Sequence, residues 1–439
     1  MHEDVTRRSV ADHATAVAAL VAPALAVARG QGSARVDIAT LLTQVGAGAG
    51  LSPRVLARDA VAAVALPGFD NSQMDGYAVR SADLDGASPG APVTLPVVTP
   101  VPAGTQPPPL EPGAAAPVMT GAPVPLGADA VVRVEDADPP RFPDLSGRAQ
   151  GMHRAEPDNS WTVRFAAPVA PDTYVRAAGS DVAAGSVLVP AGTPLGATQL
   201  GALVAAGVTT VDVAAPPHVL LVSTGSELAP AGAPLGPAQV HDANGATLTA
   251  ALAQAGARVT TRVAPDEPDA LRRLLADAPS DVALVVTTGG VSAGAYEVVR
   301  QTLTDAWFGH VAVQPGGPQG LGTVALGPRE VPLVAFPGNP VSAYVSFELF
   351  LRPVLATATG AAPARRASGR APLAEALDSP PALHQVRRGT LDADGRVRMS
   401  GGPGSHLLTH LAVATVLVHV PPGVAHLDAG DLVDYQELR

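Results

Sequence analysis

A multidomain protein of mixed class is predicted: a parallel α/β domain, a β domain inserted into a linking domain, and a C-terminal β barrel. Three observations predict it. The chain has 439 residues, too many for one ordinary core. From His218 to Leu355, apolar β-type runs alternate with helical patterns in the manner of a parallel sheet. Elsewhere, short alternating runs lie among Gly and Pro, which number 45 each.

Residues 1–34 read as a helix and a linker. The apolar stretch 14–27 is shorter than a membrane span, follows Arg7, Arg8 and His13, and contains Pro23, so neither a span nor a signal peptide is expected. Residues 35–75 and 171–215 flank an insert and are assigned to one linking domain. The insert, residues 76–170, is rich in Pro, Gly and Val from residue 91 onward and lacks a helical period, which predicts a small β domain. The α/β domain is placed at 216–360. Its strand-like runs are 218–222, 257–263, 282–287 and 331–336, with helical patterns starting near Asn244, Asp266, Tyr296 and Pro340. Those strands are apolar on both faces and are expected to be central. Residues 361–439 follow an Arg-rich segment and carry short β runs such as 415–420, which fits a terminal barrel.

A hydrophobic fraction of 47% with 15% charged residues supports a substantial interior and excludes disorder throughout. Cysteine is absent, which removes disulfides, thiolate metal sites and thiol nucleophiles. A net charge of −11 argues against nucleic acid as a partner. All 28 basic residues are Arg, because the chain has no Lys. The 11 His residues show no metalloprotease spacing and no triad; His241 and His406 read as structural.

Three segments share one layout, an apolar strand running into a loop of small residues: HVLLVSTGSEL (218–228), ALVVTTGGVSAG (283–294) and VPLVAFPGNPVSA (331–343). Glycines let a backbone approach a ligand closely, and successive N–H groups with hydroxyls can cradle an oxyanion. In an open α/β sheet such loops gather at the strands' carboxyl ends. The candidate binding residues are therefore Ser223, Thr224 and Gly225; Gly289, Gly290 and Ser292; and Pro337, Gly338, Asn339 and Pro340. Asn339 suits a helix N-cap and Pro340 the first helical position, which would point free N–H groups at the cleft; the same residues also suit ordinary capping. Glu227, Asp242 and Asp266 follow strands of this domain, and Glu297 opens a helix. Together they suit a hard cation such as Mg²⁺ bridging a substrate phosphate, although each alone reads as a helix N-terminal charge. In GFDNSQMDGYAVR (68–80), Asp70 and Asp75 lie close enough to hold a divalent cation, while so polar a stretch also reads as a solvated turn.

These segments, with VMTGAPVPLGADAVVRVE, PGNPVSA and PGSH, stand in the order found in the MoeA family, which includes the C-terminal domain of gephyrin, and the resemblance runs from about Val36 onward. It implies a four-domain protomer whose α/β domain is similar to molybdopterin adenylyltransferases, and a cytoplasmic homodimer with its site shared between subunits. The implied reaction uses adenylylated molybdopterin, molybdate and Mg²⁺, releases AMP, and leaves molybdenum on the dithiolene. Residues matching family functional positions are Asp75, Thr120, Asp181, Glu227, Asp266, Pro337, Pro340 and Ser405. Glu297 stands where the family usually has Asp. The resemblance makes Asp75, Glu227, Asp266 and Glu297 the catalytic carboxylates, with Glu227, Asp266 and Glu297 toward the metal and Thr120 and Asp181 toward the substrate.

The sequence departs from the family where lysines usually precede the PGNP strand. FGHVAVQPGGP offers His310, Gln314 and Gly317 there instead, and His310 is expected to restore part of the charge when protonated. Ser180 and Ser226 replace acids. A second reading follows from these losses: a non-catalytic MoeA-like scaffold or carrier of molybdopterin. A molybdopterin adenylyltransferase is a candidate docking partner, and no membrane is expected.

Overall fold

The computed structural model describes residues 7–30, 32–45, 54–98, 100–101, 104–142, 161–292 and 297–438. It divides into two compact units: Met1–Arg58, Ala191–Gly196 and Thr210–Arg439 form one, and Asp59–Pro190 with Ala197–Thr209 form the other.

In the first unit, period-two alternation builds two cores on one sheet. The strands His218–Thr224, Arg258–Ala264, Val282–Thr288 and Arg329–Phe336 pair in parallel. Val219, Leu221, Leu284, Val286, Val334 and Phe336 enter one core, and Leu220, Val222, Val285, Leu333 and Ala335 the other. The helices Val10–Gly30 and Ala243–Gln254 and the helical stretch that starts at Pro340 cover the first face; Pro268–Ala276 and Val298–Thr302 cover the second. The expected helix start at Tyr296 lies outside the described residues.

Two features differ from expectation. The sheet is mixed: Pro318–Leu326 and Trp307–His310 extend it with antiparallel pairing. Glycines disguise these strands in the sequence, yet packing requires them, since a Cβ on Gly320 would lie 2.6 Å from the Phe308 ring and one on Gly322 2.7 Å from Ala306 Cβ. Also, Arg258–Ala264 is an edge strand rather than a central one, with Arg262 and Val263 exposed.

The N-terminal helix is longer than the apolar stretch suggested, 21 residues with Pro23 inside. His13, Val17, Val21 and Leu25 recur every fourth residue and are buried. By length and composition this helix and Pro340–Thr359 are both apolar enough to cross a membrane. The same apolar residues serve the core: Val17, Val21, Leu25, Val341, Val345 and Leu355 pack into the cluster that covers one face of the sheet.

The C-terminal region forms a second sheet in which Val313–Gln314, His384–Leu391, Val416–Val420, Leu432–Glu437 and Ser368–Pro372 follow in hydrogen-bonded order, with Val397–Met399 paired to His384–Leu391. Leu373 bridges Val397, which joins the two sides of this sheet. Buried Glu348 receives a bidentate pair from Arg366, at 2.8 Å each, and Arg366 also donates to the Leu438 carbonyl, so the PGNP helix and the chain's last strand share one ionic anchor. Ser33–Asp37 pairs antiparallel with Thr210–Ala214.

The second unit is built of short strands. Gly76–Val79 lies between Ala116–Val118 and Ala130–Arg133; a Cβ on Gly76 would sit 2.1 Å from the Val132 carbonyl, so only glycine fits. Val93–Pro96, Thr162–Phe165 and Ala137–Asp138 form a further sheet. Ala60–Val61 pairs with Val187–Val189, and Asn71–Ser72 with Val175–Arg176.

Candidate functional site

The three small-residue loops meet at the carboxyl end of the parallel strands. The Thr224 hydroxyl donates to the Thr288 carbonyl at 3.1 Å, and the Gly289 N–H donates to the Phe336 carbonyl at 3.0 Å. Gly289 adopts a φ of +87°, and a side chain there would lie 2.8 Å from the Thr224 carbonyl. Gly338 packs against Gly289, with its Cβ direction 3.4 Å from the Gly289 Cα. Glycine at these places lets three loops from three strands close on one another. Residues 293–296, the end of the second loop, lie outside the described residues.

These loops wall a cleft of about 780 Å³. Thr224, Gly225, Glu227, Asp266, Gly289, Gly290, Ser292, Glu297, Pro337, Gly338, Asn339 and Ser405 all line it, as the strand-end reading and the family motifs require. Three other candidate binding residues of the first unit do not. Ser223 is buried one position earlier in its strand, and Pro340 has turned into the helix. His310 pairs across the antiparallel ladder with Pro318; Pro318 lines the cleft and His310 does not.

Two of the acids are fixed by a turn. The Ser226 N–H donates to Asp266 Oδ2 at 3.0 Å, while the Asp266 N–H donates to Ser226 Oγ at 3.1 Å. The second of these bonds uses the hydroxyl of the serine that replaces the family's acid. Glu227 folds its carboxylate over Gly225, where a Cβ would come within 2.6 Å of Oε2. Glu297 accepts the Ser292 hydroxyl at 2.5 Å across the second loop. Among the described residues no three His, Asp or Glu side chains converge as a ready-made metal-ligand group. Glu227, Asp266 and Glu297 therefore share a cleft without forming a cage.

The start of the PGNP helix is less open than its sequence suggests. Asn339 occupies the N-cap position with extended backbone, but its side chain makes no capping bond. The Val341 N–H is taken by the Ser405 carbonyl at 3.1 Å, which ties the PGSH segment to the helix.

Sequence reasoning missed several cleft residues. Asn244 donates to the Gly338 carbonyl at 2.7 Å and so holds the PGNP loop from the neighbouring helix. Pro315 and Gly316 also line the cleft, beside Gln314, which the sequence marks as standing in place of a family lysine and which accepts a bond from Gln385 at 2.7 Å. Behind the wall of Pro403, Gly404 and Ser405 lie two buried arginines. Arg388 donates to the Gly404 carbonyl at 3.3 Å and to that of Gly402, and Arg387 donates to Gly401 at 2.9 Å. Burial depresses both guanidinium pKa values, and in Arg388 the neighbouring Arg387 adds to it. The adjacent Arg-Arg pair was the one available signal.

The arm residues lie in the second unit. Asp75 Oδ1 accepts both the N–H and the hydroxyl of Thr120, at 2.7 and 2.8 Å. Those two bonds, the backbone one first, hold its carboxyl below the usual range. Asp181 stands where its loop returns to the GFDNS turn: its N–H donates to Leu66, and the Ala178 N–H donates to Asp70 Oδ1 at 2.7 Å.

With this geometry in hand, comparison with known proteins is specific. The MoeA N-terminal region (domain I and II) matches residues 10–207, a probable molybdopterin binding domain matches 220–357, and the MoeA C-terminal region (domain IV) matches 370–438. Molybdopterin molybdenumtransferase 2 of Mycobacterium tuberculosis (strain ATCC 25618 / H37Rv) is 41% identical over 396 residues, covering 88% of this chain and 92% of that protein. Molybdopterin molybdenumtransferase of Synechococcus elongatus is 34% identical over 395 residues, covering 88% and 92%. Among solved structures, the molybdopterin biosynthesis moeA protein from Pyrococcus horikosii superposes with a TM-score of 0.76 at 27% identity, covering 99% of this chain and 100% of that one.

Proposed function

Because the chain belongs to the MoeA family and is thereby a transferase of molybdenum cofactor biosynthesis, we propose that it inserts molybdenum from molybdate into adenylylated molybdopterin and releases AMP. The observation that carries this reading is the cleft itself, in which three glycine loops, the Ser226–Asp266 turn and Glu227 converge. Loop N–H groups would receive the phosphate oxygens, and Asn244 would keep the PGNP loop in place while they do so.

The donor set fits Mg²⁺. Its carboxylates are hard oxygen ligands, and this ion takes one or two of them and completes its shell from substrate phosphate and water, so a protein cage is unnecessary. Glu227 and Asp266, on either side of the Gly225–Ser226 turn, would hold it; Glu297 would fix the second loop through Ser292. When bound, the ion neutralises phosphate charge as the phosphoanhydride breaks.

The reading includes a cytoplasmic homodimer in which Asp75, Thr120 and Asp181 of one subunit complete the cleft of the other, and a C-terminal barrel closed by the Leu373–Val397 bridge. Asp75, already bonded twice to Thr120, is prepared as an ordered carboxylate that orients substrate.

One observation favours the scaffold reading: no Arg or His side chain lines the cleft among the described residues. A single assay separates the two. Purified protein is incubated with adenylylated molybdopterin, Mg²⁺ and molybdate, and AMP and active cofactor are measured. Molybdate-dependent AMP release with cofactor formation supports the insertase, whereas substrate binding without AMP release overturns it.

A further inference from the structure

Beneath the cleft, the strands His218–Thr224 and Val282–Thr288 break their apolar runs in step. Ser223 and Thr288 are register partners at the carboxyl ends of the two strands. Each stands two residues after a member of one core, Leu221 and Val286, so both side chains point to that core's face. They are 0% and 1% exposed. Their ladder neighbours on that face are Val263 on one side and Phe336 on the other, whose side chains carry no polar atom. Thr224, on the opposite face, donates its hydroxyl to the Thr288 carbonyl at 3.1 Å. Ser223 Oγ and Thr288 Oγ1 have no such partner among the described residues.

A third atom of this kind reaches the same place from the covering helix. Ala243–Gln254 packs on this face through Leu248 and Leu252, and Asn244, one turn before Leu248, lies on the same side. Its Nδ2 donates to the Gly338 carbonyl at 2.7 Å. Gly338 in turn packs against Gly289, with its Cβ direction 3.4 Å from the Gly289 Cα, and Gly289 follows Thr288 directly. These links set the Asn244 amide over the end of the Thr288 strand. They also fix which way it faces, since the reversed amide would set two oxygens against each other at 2.7 Å. Asn244 Oδ1 is left buried, again with no partner among the described residues.

Three buried oxygens cost free energy unless something bonds them, and Ala or Val would fill the two strand positions without that cost. A water molecule matches the set. The amide oxygen accepts only, each hydroxyl donates or accepts, and a buried water makes about three such bonds. A cation suits it less: the helix Ala243–Gln254 turns its positive end here, and Asp242 already accepts the Gly245 N–H at 2.8 Å as that helix's cap. We propose that Ser223, Thr288 and Asn244 bind one buried water, which ties the residue that holds the PGNP loop to the ends of two parallel strands and so stiffens the cleft floor, whatever reaction the cleft performs.

The test uses the full-length protein. A crystal structure should show one spherical density peak within about 3.2 Å of all three oxygens, and Thr288→Val, which keeps the side chain's shape, should remove it. Thr288→Val and Ser223→Ala should each lower the thermal unfolding midpoint by about 2 °C or more. The double variant should fall by less than the sum, because either loss releases the same water. Amide hydrogen exchange in the PGNP loop should quicken in Thr288→Val. No density at the three oxygens, a raised midpoint in Thr288→Val, or strictly additive losses would each overturn the shared water. An anomalous signal at the peak after rubidium soaking would overturn it in favour of a monovalent cation.

Discussion

Thr120 spends both of its hydrogen-bond donors on one oxygen of Asp75: the N–H reaches Oδ1 at 2.7 Å and the hydroxyl at 2.8 Å. Two residues 45 positions apart thereby act as one unit, and the other carboxylate oxygen is turned in a fixed direction. The bonds favour the charged form, so the Asp75 pKa lies below the ordinary carboxylate value.

Thr120→Val should raise that pKa while leaving it depressed, because the backbone N–H, the larger cause, remains. The acid limb of the AMP-release profile should move upward with it. Carboxyl-resolved NMR titration of Asp75 in both proteins checks the shift; an unchanged titration would show that the hydroxyl bond contributes nothing.

Glu227→Ala and Asp75→Ala should each lower molybdenum insertion by about tenfold or more, equivalent to about 1.4 kcal/mol of transition-state stabilisation, without unfolding the protein. If the two residues serve one site from different subunits, mixing the variants should restore activity. One of the two sites in a mixed dimer keeps both residues. Co-expression with two affinity tags isolates that species. Full activity in either single variant would remove that residue from the site, and no recovery in the mixed dimer would place both residues in the same subunit's site.

Acid sensitivity should originate partly at His13. It is fully buried, accepts a contact from Arg8 at 3.4 Å, and stacks edge-on against Phe350. Burial first, and Arg8 second, lower its pKa to about 4. The unfolded chain takes up this proton near the ordinary histidine value of 6.5, so the neutral form contributes stability above that pH and the contribution is lost as pH falls toward 4. His13→Phe, which keeps a ring in the same aromatic cluster, should flatten the fall in unfolding free energy between those values. Urea titrations followed by Trp307 fluorescence at several pH values measure it; parallel pH curves for the two proteins would exclude His13 as a source.

The parts of the site legible in the sequence were those carried by local chemistry. Strand-end glycines at Gly225, Gly289 and Gly338 advertise close backbone approach wherever they occur, and the acids beside them read as partners of a cation. What stayed hidden depends on pairings that no short window contains. The sequence marks Gln314 only as standing where a family lysine would, and not the pairing that fixes it, in which Val313–Gln314 joins a strand more than 70 residues later, at His384–Leu391. Asn244 matters only because its helix sits beside the PGNP loop. His310 stands where the family has a lysine, yet its ladder partner Pro318 lines the cleft and His310 does not. The N-cap at Asn339 was found by type while its side chain went unused.

With His310 outside the cleft lining, other cations become candidates for the charge that receives molybdate. Behind the wall lie Arg387 and Arg388, whose guanidiniums donate to the carbonyls of Gly401, Gly402 and Gly404. A partly screened cation near a tetrahedral oxyanion contributes on the order of 1 kcal/mol, and a buried one is less weakened by salt than an exposed one. His310→Gln should then leave the molybdate dependence of AMP release, and its pH profile, unchanged. Gln314→Lys places a new cation directly on the cleft wall and should tighten molybdate several-fold, with the gain shrinking as salt rises. Arg388→Met should weaken molybdate in a manner that persists in high salt, and because it also frees the glycine carbonyls, molybdate binding is read by calorimetry alongside thermal unfolding. If His310→Gln weakens molybdate while Arg388→Met lowers thermal stability alone, the oxyanion draws its charge from the histidine and the arginines serve only to shape the loop.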